Sequence, residues 1–140
     1  MSPEPDAAAA PPLKPEELDS LSAATDAQRA EAFIEQVVQF EEAWGLERED
    51  GWVRFPLKGA AAPVFPVWPR IEFAALAATG PEEAPRRLSL EDLMEFVLPE
   101  LGRLGAEVAV FPLKGSSAIL PAAALGERLA NAWEEHEEGI

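Results

Sequence analysis

Several residue types that carry out chemistry are absent or rare in this sequence. Cysteine and tyrosine are missing, and the single histidine, His136, lies in an acidic C-terminal run. Without cysteine there is no disulfide and no thiolate, and neither a Ser-His-Asp nor a Cys-His set can be built. A zinc site lacks its usual nitrogen and sulfur ligands. We therefore expect a protein that is not an enzyme and that uses no cofactor or metal.

Carboxylates are abundant, but they do not follow the spacing of a metal site. The acidic pairs Glu41-Glu42, Glu82-Glu83 and Glu134-Glu135 lie in polar runs, and nothing matches an EF-hand loop, a phosphate-binding loop or a dinucleotide fingerprint. Such side chains are usually solvated surface charges. A carboxylate- or metal-dependent hydrolase stays open only as a third alternative.

Positive charge and long apolar runs are also scarce. The chain has 11 Lys and Arg against 26 Asp and Glu, a formal net charge of −15. Phosphate binding needs a concentrated basic face, so nucleic acid is not an expected partner, whereas a basic protein could be steered to this surface. No run of eighteen apolar residues and no signal-peptide pattern is present, so we expect no membrane contact and a cytoplasmic location.

Proline divides the chain into a tail and one domain. Residues 1–22 carry five prolines and the run Ala7 to Ala10, which predicts a disordered, acidic Pro/Ala-rich tail. The remaining residues 23–138 have room for a single domain, and the chain is 48% apolar, enough for a core.

Local signals predict four helices. A Thr-x-x-Gln capping box at Thr25 opens the first, whose apolar stripe runs through Phe33, Val37, Phe40 and Trp44 to a stop at Gly45. The second begins at Pro69 and the fourth at Pro121. Ser89 caps the third, which Pro99 should kink or end near Leu98.

The sequence Phe-Pro-Leu-Lys-Gly occurs twice, at Phe55–Gly59 and Phe111–Gly115. Each copy lies in a predicted hairpin, 52–57 with 62–67 and 107–113 with 118–120, while residues 81–87 read as a polar loop. The order helix-strand-strand-helix therefore occurs in 25–80 and again in 88–136. We expect an α+β fold built from a duplicated unit, with the hairpins forming one small, mainly antiparallel four-stranded sheet packed with helices.

Two groups of residues are candidate sites. Trp52 and Trp68 would be cross-strand neighbours in the first hairpin; with Arg54 and Arg70 they would form a partner-binding surface, since Trp and Arg dominate such sites. The alternative is a half-buried pair that holds sheet to helix. Lys58-Gly59 and Lys114-Gly115 would form two exposed turns with positive φ at glycine, able to bind an anion, or simply solubilising hairpin ends.

A family resemblance rests on particular elements of the sequence. These are Gly51-Trp52, the Pro-x-Trp-Pro element Pro66–Pro69, Leu98-Pro99 and Phe111-Pro112. With the helices between them, residues 28–133 resemble the bacterial domain of unknown function 2750. The resemblance implies a fold and solubility but no reaction.

These observations favour a non-catalytic protein-binding domain, adaptor or immunity-like, with another and possibly basic protein as its partner. A small-ligand or anion sensor that uses the two Lys-Gly turns is the alternative. Prolines in the edge strands disfavour edge-to-edge pairing, so we expect a monomer rather than a homodimer.

Overall fold

The computed structural model describes residues 8–139, and a helix lies where the prolines predicted a tail. Helix α1 (Pro15–Ala23) has its proline at the first position, where a missing N–H is tolerated. Leu18 and Leu21 of α1 pack against the core. The prediction of disorder is therefore corrected for this part of the tail, because its prolines precede the helix rather than interrupt it. Residues 1–7 of the predicted tail lie outside the described residues.

Helix α2 (Asp26–Phe40) begins where the capping box predicted. The Thr25 hydroxyl accepts from the N–H of Gln28 at 3.1 Å, and the Gln28 side chain accepts from the N–H of Thr25 at 2.9 Å. The helix ends at Phe40, not at Gly45, because Glu41 takes a left-handed backbone conformation with φ 55°. The apolar stripe of the helix therefore ends at Phe40, and Trp44 belongs to the strand that follows.

The first sheet has the strand order β2-β1-β4. Strand β1 (Glu42–Arg48) is central; β2 (Gly51–Trp52) and β4 (Ala84–Ser89) both pair with it antiparallel. The β4 pairing runs over six residues, from Ser89 opposite Glu42 to Ala84 opposite Glu47. The polar loop predicted at 81–87 is therefore largely a strand, which its pairing with β1 stabilises.

The second sheet has the order β3-β5-β6. Strand β3 (Phe65–Val67) lies parallel to β5 (Glu107–Leu113), which forms an antiparallel hairpin with β6 (Ser116–Pro121). Only one bridge, Phe55 to Val64, is left of the first predicted hairpin. Two three-stranded sheets thus replace the expected four-stranded one.

The third predicted helix continues past its proline. The Ser89 hydroxyl accepts from the N–H of Asp92 at 3.0 Å and caps α4 (Leu90–Asp92). A wide π turn (Leu93–Val97) follows, and then α5 (Leu98–Arg103), with Pro99 in its first turn. A proline ring clashes with the carbonyl four residues back in a regular helix, and the wide turn lies directly before it. Pro99 therefore neither ends the helix nor leaves it regular.

One hydrophobic core contains residues from both predicted halves. Helix α2 packs on β5 and on α6 (Ala122–Glu138), and the short α3 (Ile71–Ala77) packs on the first sheet. The fold is α+β, as predicted. The duplication is not confirmed, since β4 separates the halves and β3 pairs with β5 of the second half.

Candidate functional site

Two of the four residues predicted to bind a partner are buried. Trp68 is 0% exposed, and its indole N–H donates to the carbonyl of Pro112 at 2.8 Å. Arg70 is 3% exposed; it donates to the carbonyl of Pro11, and its guanidinium lies 5.6 Å from the centre of the Phe40 ring. Trp68 and Arg70 therefore hold the domain together, and their assignment to a surface is corrected.

Trp52 and Trp68 are not cross-strand neighbours. Trp52 pairs with Glu47 in the first sheet, whereas Trp68 bridges to Trp44. The Trp52 ring lies over Gly45, where a Cβ would come within 3.0 Å of it. The predicted pair depended on the long hairpin that the structure does not form.

Trp52 and Arg54 nevertheless lie in one groove, which we name the Trp52 groove. Its volume is about 500 Å³, and it is lined by Asp50, Trp52, Arg54, Phe65, Phe96, Val97, Glu100, Leu101 and Leu104. Trp52 is half-buried and meets Phe65 edge to face at 5.6 Å, while Arg54 is exposed. Asp50, Trp52 and Arg54, in and around β2, line it together with Phe65 of β3, and the remaining lining residues belong to the π turn and to the α5 region up to Leu104.

The most exposed apolar side chains of the groove come from the π-turn side. Phe96 is 65% exposed and Leu104 is 58% exposed. Phe96 lies in the π turn, a feature that is frequent at functional sites. Neither residue was predicted from the sequence as part of a site. The sequence did contain a sign of their exposure: both are large apolar residues in the region of the third predicted helix, and they lie off the face that Leu90, Leu93 and Leu101 bury in the core.

The groove carries charge of both signs. Asp50 and Glu100 are acidic; the exposed Glu100 accepts from Arg103 Nε at 3.2 Å, and this hydrogen bond lowers the pKa of its carboxyl. Arg54 makes no ion pair within residues 8–139. The groove therefore offers an apolar surface with one cation, Arg54, and one carboxylate, Asp50, neither of which makes an ion pair within the described residues.

Both Lys-Gly turns are exposed, and both glycines have the predicted positive φ, 96° at Gly59 and 77° at Gly115. The turns differ in detail, because Lys114 also has a positive φ of 53° and closes the β5-β6 hairpin. In the first turn the N–H of Ala60 donates to the carbonyl of Leu57 at 3.0 Å. The backbone prediction is confirmed, whereas anion binding stays a prediction.

A second cavity lies between the two Phe-Pro-Leu-Lys-Gly segments, and we name it the inter-repeat cavity. Its volume is about 320 Å³. The first segment contributes Phe55 and Leu57, and the second contributes Pro112 to Gly115. The two copies of the repeated sequence therefore line the same cavity, although the two halves of the chain differ in topology.

The two buried carboxylates, Glu42 and Glu83, both accept hydrogen bonds from neighbouring groups of the protein. Burial raises the pKa of Glu42, but hydrogen bonds from the N–H of Ala9, Arg87, the Trp44 indole and the N–H of Ala10 lower it overall. The N–H of Thr79 and Arg48 likewise lower the pKa of Glu83 against its burial. Both groups are thus held as charged, structural hydrogen-bond acceptors.

The described residues contain neither a cluster of metal ligands nor a helix that could span a membrane. Between residues 8 and 139, no three His, Cys, Asp or Glu side chains are grouped as metal ligands, and no helix has the length and apolar character to cross a membrane. His136 stacks on Trp133 at 5.6 Å near the end of α6. The acidic C-terminal run around His136 is helical, since α6 continues to Glu138, and His136 is half-buried there.

The family model of DUF2750, a protein of unknown function, matches residues 30–129. The match covers most of the chain and confirms the resemblance seen in the Gly51-Trp52 and Pro66–Pro69 elements. The chain matches no curated protein and no solved structure.

Proposed function

The chain belongs to the DUF2750 family, and we propose that it binds another protein through the Trp52 groove. One observation carries the proposal: Phe96 and Leu104, both more than half exposed, flank a groove that also holds Trp52 and Arg54. Contiguous exposed apolar side chains are typical of interaction surfaces, and Trp and Arg contribute most to binding at them.

The groove favours a partner segment with large apolar side chains flanked by basic residues. The apolar side chains of the partner would cover Phe96 and Leu104, which are exposed to solvent in the free protein. Basic flanks would meet Asp50 and an acidic surface of net charge −15. Such a field raises the association rate of a cationic partner and has less effect at high salt.

The action we propose is occlusion or scaffolding, as in an adaptor or immunity-like protein, without catalysis. The polar side chains of the groove are Asp50, Arg54 and Glu100, and Glu100 is already bound to Arg103. Arg54 would fix the register of the bound segment by pairing with an acceptor on it. We further propose a monomer, with the groove free for a different protein.

The test compares two exposed apolar residues of equal exposure. Phe96 and Leu76 are each 65% exposed, but Leu76 lies on α3, outside the groove. Tagged wild type, Phe96→Ser and Leu76→Ser are used to capture partners from the native cells. The captured protein is then purified and titrated against each variant by calorimetry at low and high salt.

We expect Leu76→Ser to bind like wild type and Phe96→Ser to bind at least about tenfold more weakly, the loss of a hot-spot side chain. Arg54→Gln should weaken binding as well. Equal binding by Phe96→Ser and wild type would place the interface elsewhere. Sedimentation of the free protein as a dimer that Phe96→Ser dissociates would show that a second copy occupies the groove.

A further inference from the structure

The inter-repeat cavity is mainly apolar and shares no lining residue with the Trp52 groove. Its apolar lining includes Leu46, Val53, Phe55, Leu57 and the buried Trp68. Its volume of about 320 Å³ lies at the lower end of the range of about 300–1,000 Å³ usual for small-molecule sites. The cavity therefore suits a small ligand with an apolar body.

Unpaired positive charge is concentrated around the repeated segments. Every lysine and arginine of the chain lies within the described residues, and only four of them make no ion pair there: Lys14, Arg54, Lys58 and Lys114. Arg54 directly precedes the first segment, and the two segments contain Lys58 and Lys114. Three of the four free cations thus lie in the repeated segments or directly before them in the sequence, and of these three Lys114 lines the inter-repeat cavity.

The charges that line the cavity favour an anion over a cation. Glu83 is the one carboxylate among the lining residues; Arg48 donates to it at 3.1 Å and the N–H of Thr79 at 3.0 Å. Its charge is therefore already compensated. Lys114 lines the same cavity, is exposed, and has no carboxylate partner in residues 8–139.

We propose that the inter-repeat cavity binds a small amphiphilic anion. Its hydrocarbon part lies among Phe55, Leu57 and Trp68, and its carboxylate is paired with Lys114. Burial of the hydrocarbon supplies most of the affinity. The ammonium group of Lys114 distinguishes an anionic head group from a neutral or cationic one. In this arrangement the second Lys-Gly turn binds the head group, whereas Lys58 and Gly59 of the first turn do not line the cavity.

The probes for the test are octanoate, octanol and octylamine, which share one hydrocarbon chain and differ in the charge of the head group. Binding is followed by heteronuclear NMR of the ¹⁵N-labelled protein, using the amide signals of Leu57 and Gly115 and the indole signal of Trp68. We expect saturable shifts of all three signals with octanoate, weaker binding of octanol, and the weakest binding with octylamine, whose ammonium group is repelled by Lys114. Octylamine binding as tightly as octanoate would contradict the proposal, as would no saturable shift with any probe.

The two lysines of the repeat provide a matched pair of variants. Lys114→Gln should weaken octanoate binding about fivefold, the contribution of one partly exposed charge pair, and should leave octanol binding unchanged. Lys58→Gln changes the equivalent lysine of the other turn, which does not line the cavity, and should bind octanoate like wild type. An equal loss in both variants would show a general charge effect and overturn the assignment to Lys114.

A third variant tests the apolar part of the site. Leu57→Trp replaces the leucine side chain with a larger indole ring that fills part of the cavity, and it should abolish binding of both octanoate and octanol. Its thermal unfolding without ligand is measured in parallel, to establish that the variant is folded. Octanoate binding that persists in folded Leu57→Trp would place the ligand elsewhere and overturn the proposal.

Discussion

Trp44 and Trp68 exchange both of their main-chain hydrogen bonds, each with an N–O distance of 2.8 Å. Trp44 belongs to β1, and Trp68 directly follows β3, so this bridge joins the first sheet to the second. Both side chains are fully buried. The bridge links residues that are far apart in the sequence, and it holds Trp68 in place beside the inter-repeat cavity.

The indole of Trp68 should contribute measurably to stability. Trp68→Phe leaves the buried carbonyl of Pro112 without its donor at 2.8 Å, and it removes ring volume from the core. We expect a loss of about 2–4 kcal/mol in the free energy of unfolding, measured by urea denaturation. Trp133→Phe is the control, since Trp133 is half-buried and its indole has no hydrogen-bond partner among residues 8–139. Similar losses in both variants would mean that the Trp68 hydrogen bond adds nothing.

Glu42 should make stability depend on pH in acid. Its pKa in the folded protein is lowered from an ordinary value of 4.5. A lowered carboxyl pKa stabilises the folded state fully above the unfolded pKa, and this stabilisation is lost as the pH falls through the folded value. Each Glu42 oxygen accepts two hydrogen bonds, so Glu42→Gln removes the charge and replaces one of these acceptors by a donor, which should cost about 2–4 kcal/mol at pH 7.

The pH profile separates this effect from a general loss of packing. The difference in unfolding free energy between wild type and Glu42→Gln should be constant above about pH 5.5 and should shrink below about pH 4.5. Glu91→Gln, at an exposed position, is the control and should change stability little at any pH. A difference that does not vary with pH would contradict a charged Glu42 in the folded protein.

The segment before α1 should stabilise the domain. The N–H groups of Ala9 and Leu13 donate to Glu42 and Glu72, each at 2.8 Å, and the carbonyl of Pro11 accepts from buried Arg70. Deletion of residues 1–14 removes these contacts, and we expect a loss of about 2–3 kcal/mol, measured by thermal and urea unfolding. Deletion of residues 1–7 leaves the same contacts in place and is the matched control. If both deletions unfold alike, the segment is not part of the folded unit.

The candidate site could be predicted only in part. A tryptophan and an arginine close together in the sequence indicated a surface at Trp52 and Arg54, and both line a groove. The same reasoning selected Trp68 and Arg70, which the core and the N-terminal segment cover. Amino-acid type indicates what a side chain can bind, but burial depends on the elements that pack over it.

Signals that act over a few residues correctly predicted where three of the helices begin and the backbone conformation of the Lys-Gly turns. The capping residues Thr25 and Ser89 begin their helices, Pro121 precedes α6, and the glycines of both turns have positive φ. Each depends on a hydrogen bond or a steric limit within about four residues, so the sequence alone specifies it. The acidic charge of the surface follows in the same way from composition.

The tertiary structure decided which strands pair and therefore which side chains are exposed. The first five residues of β1 are all buried, so they lack the alternation that marks a strand, and β4 is a strand through its pairing with β1. The Trp44–Trp68 bridge and the parallel β3-β5 pair join distant segments whose contact energy appears only when the chain is folded. For that reason the sequence by itself determined the capped helices and the turns, whereas the fold determined the Trp52 groove and the inter-repeat cavity.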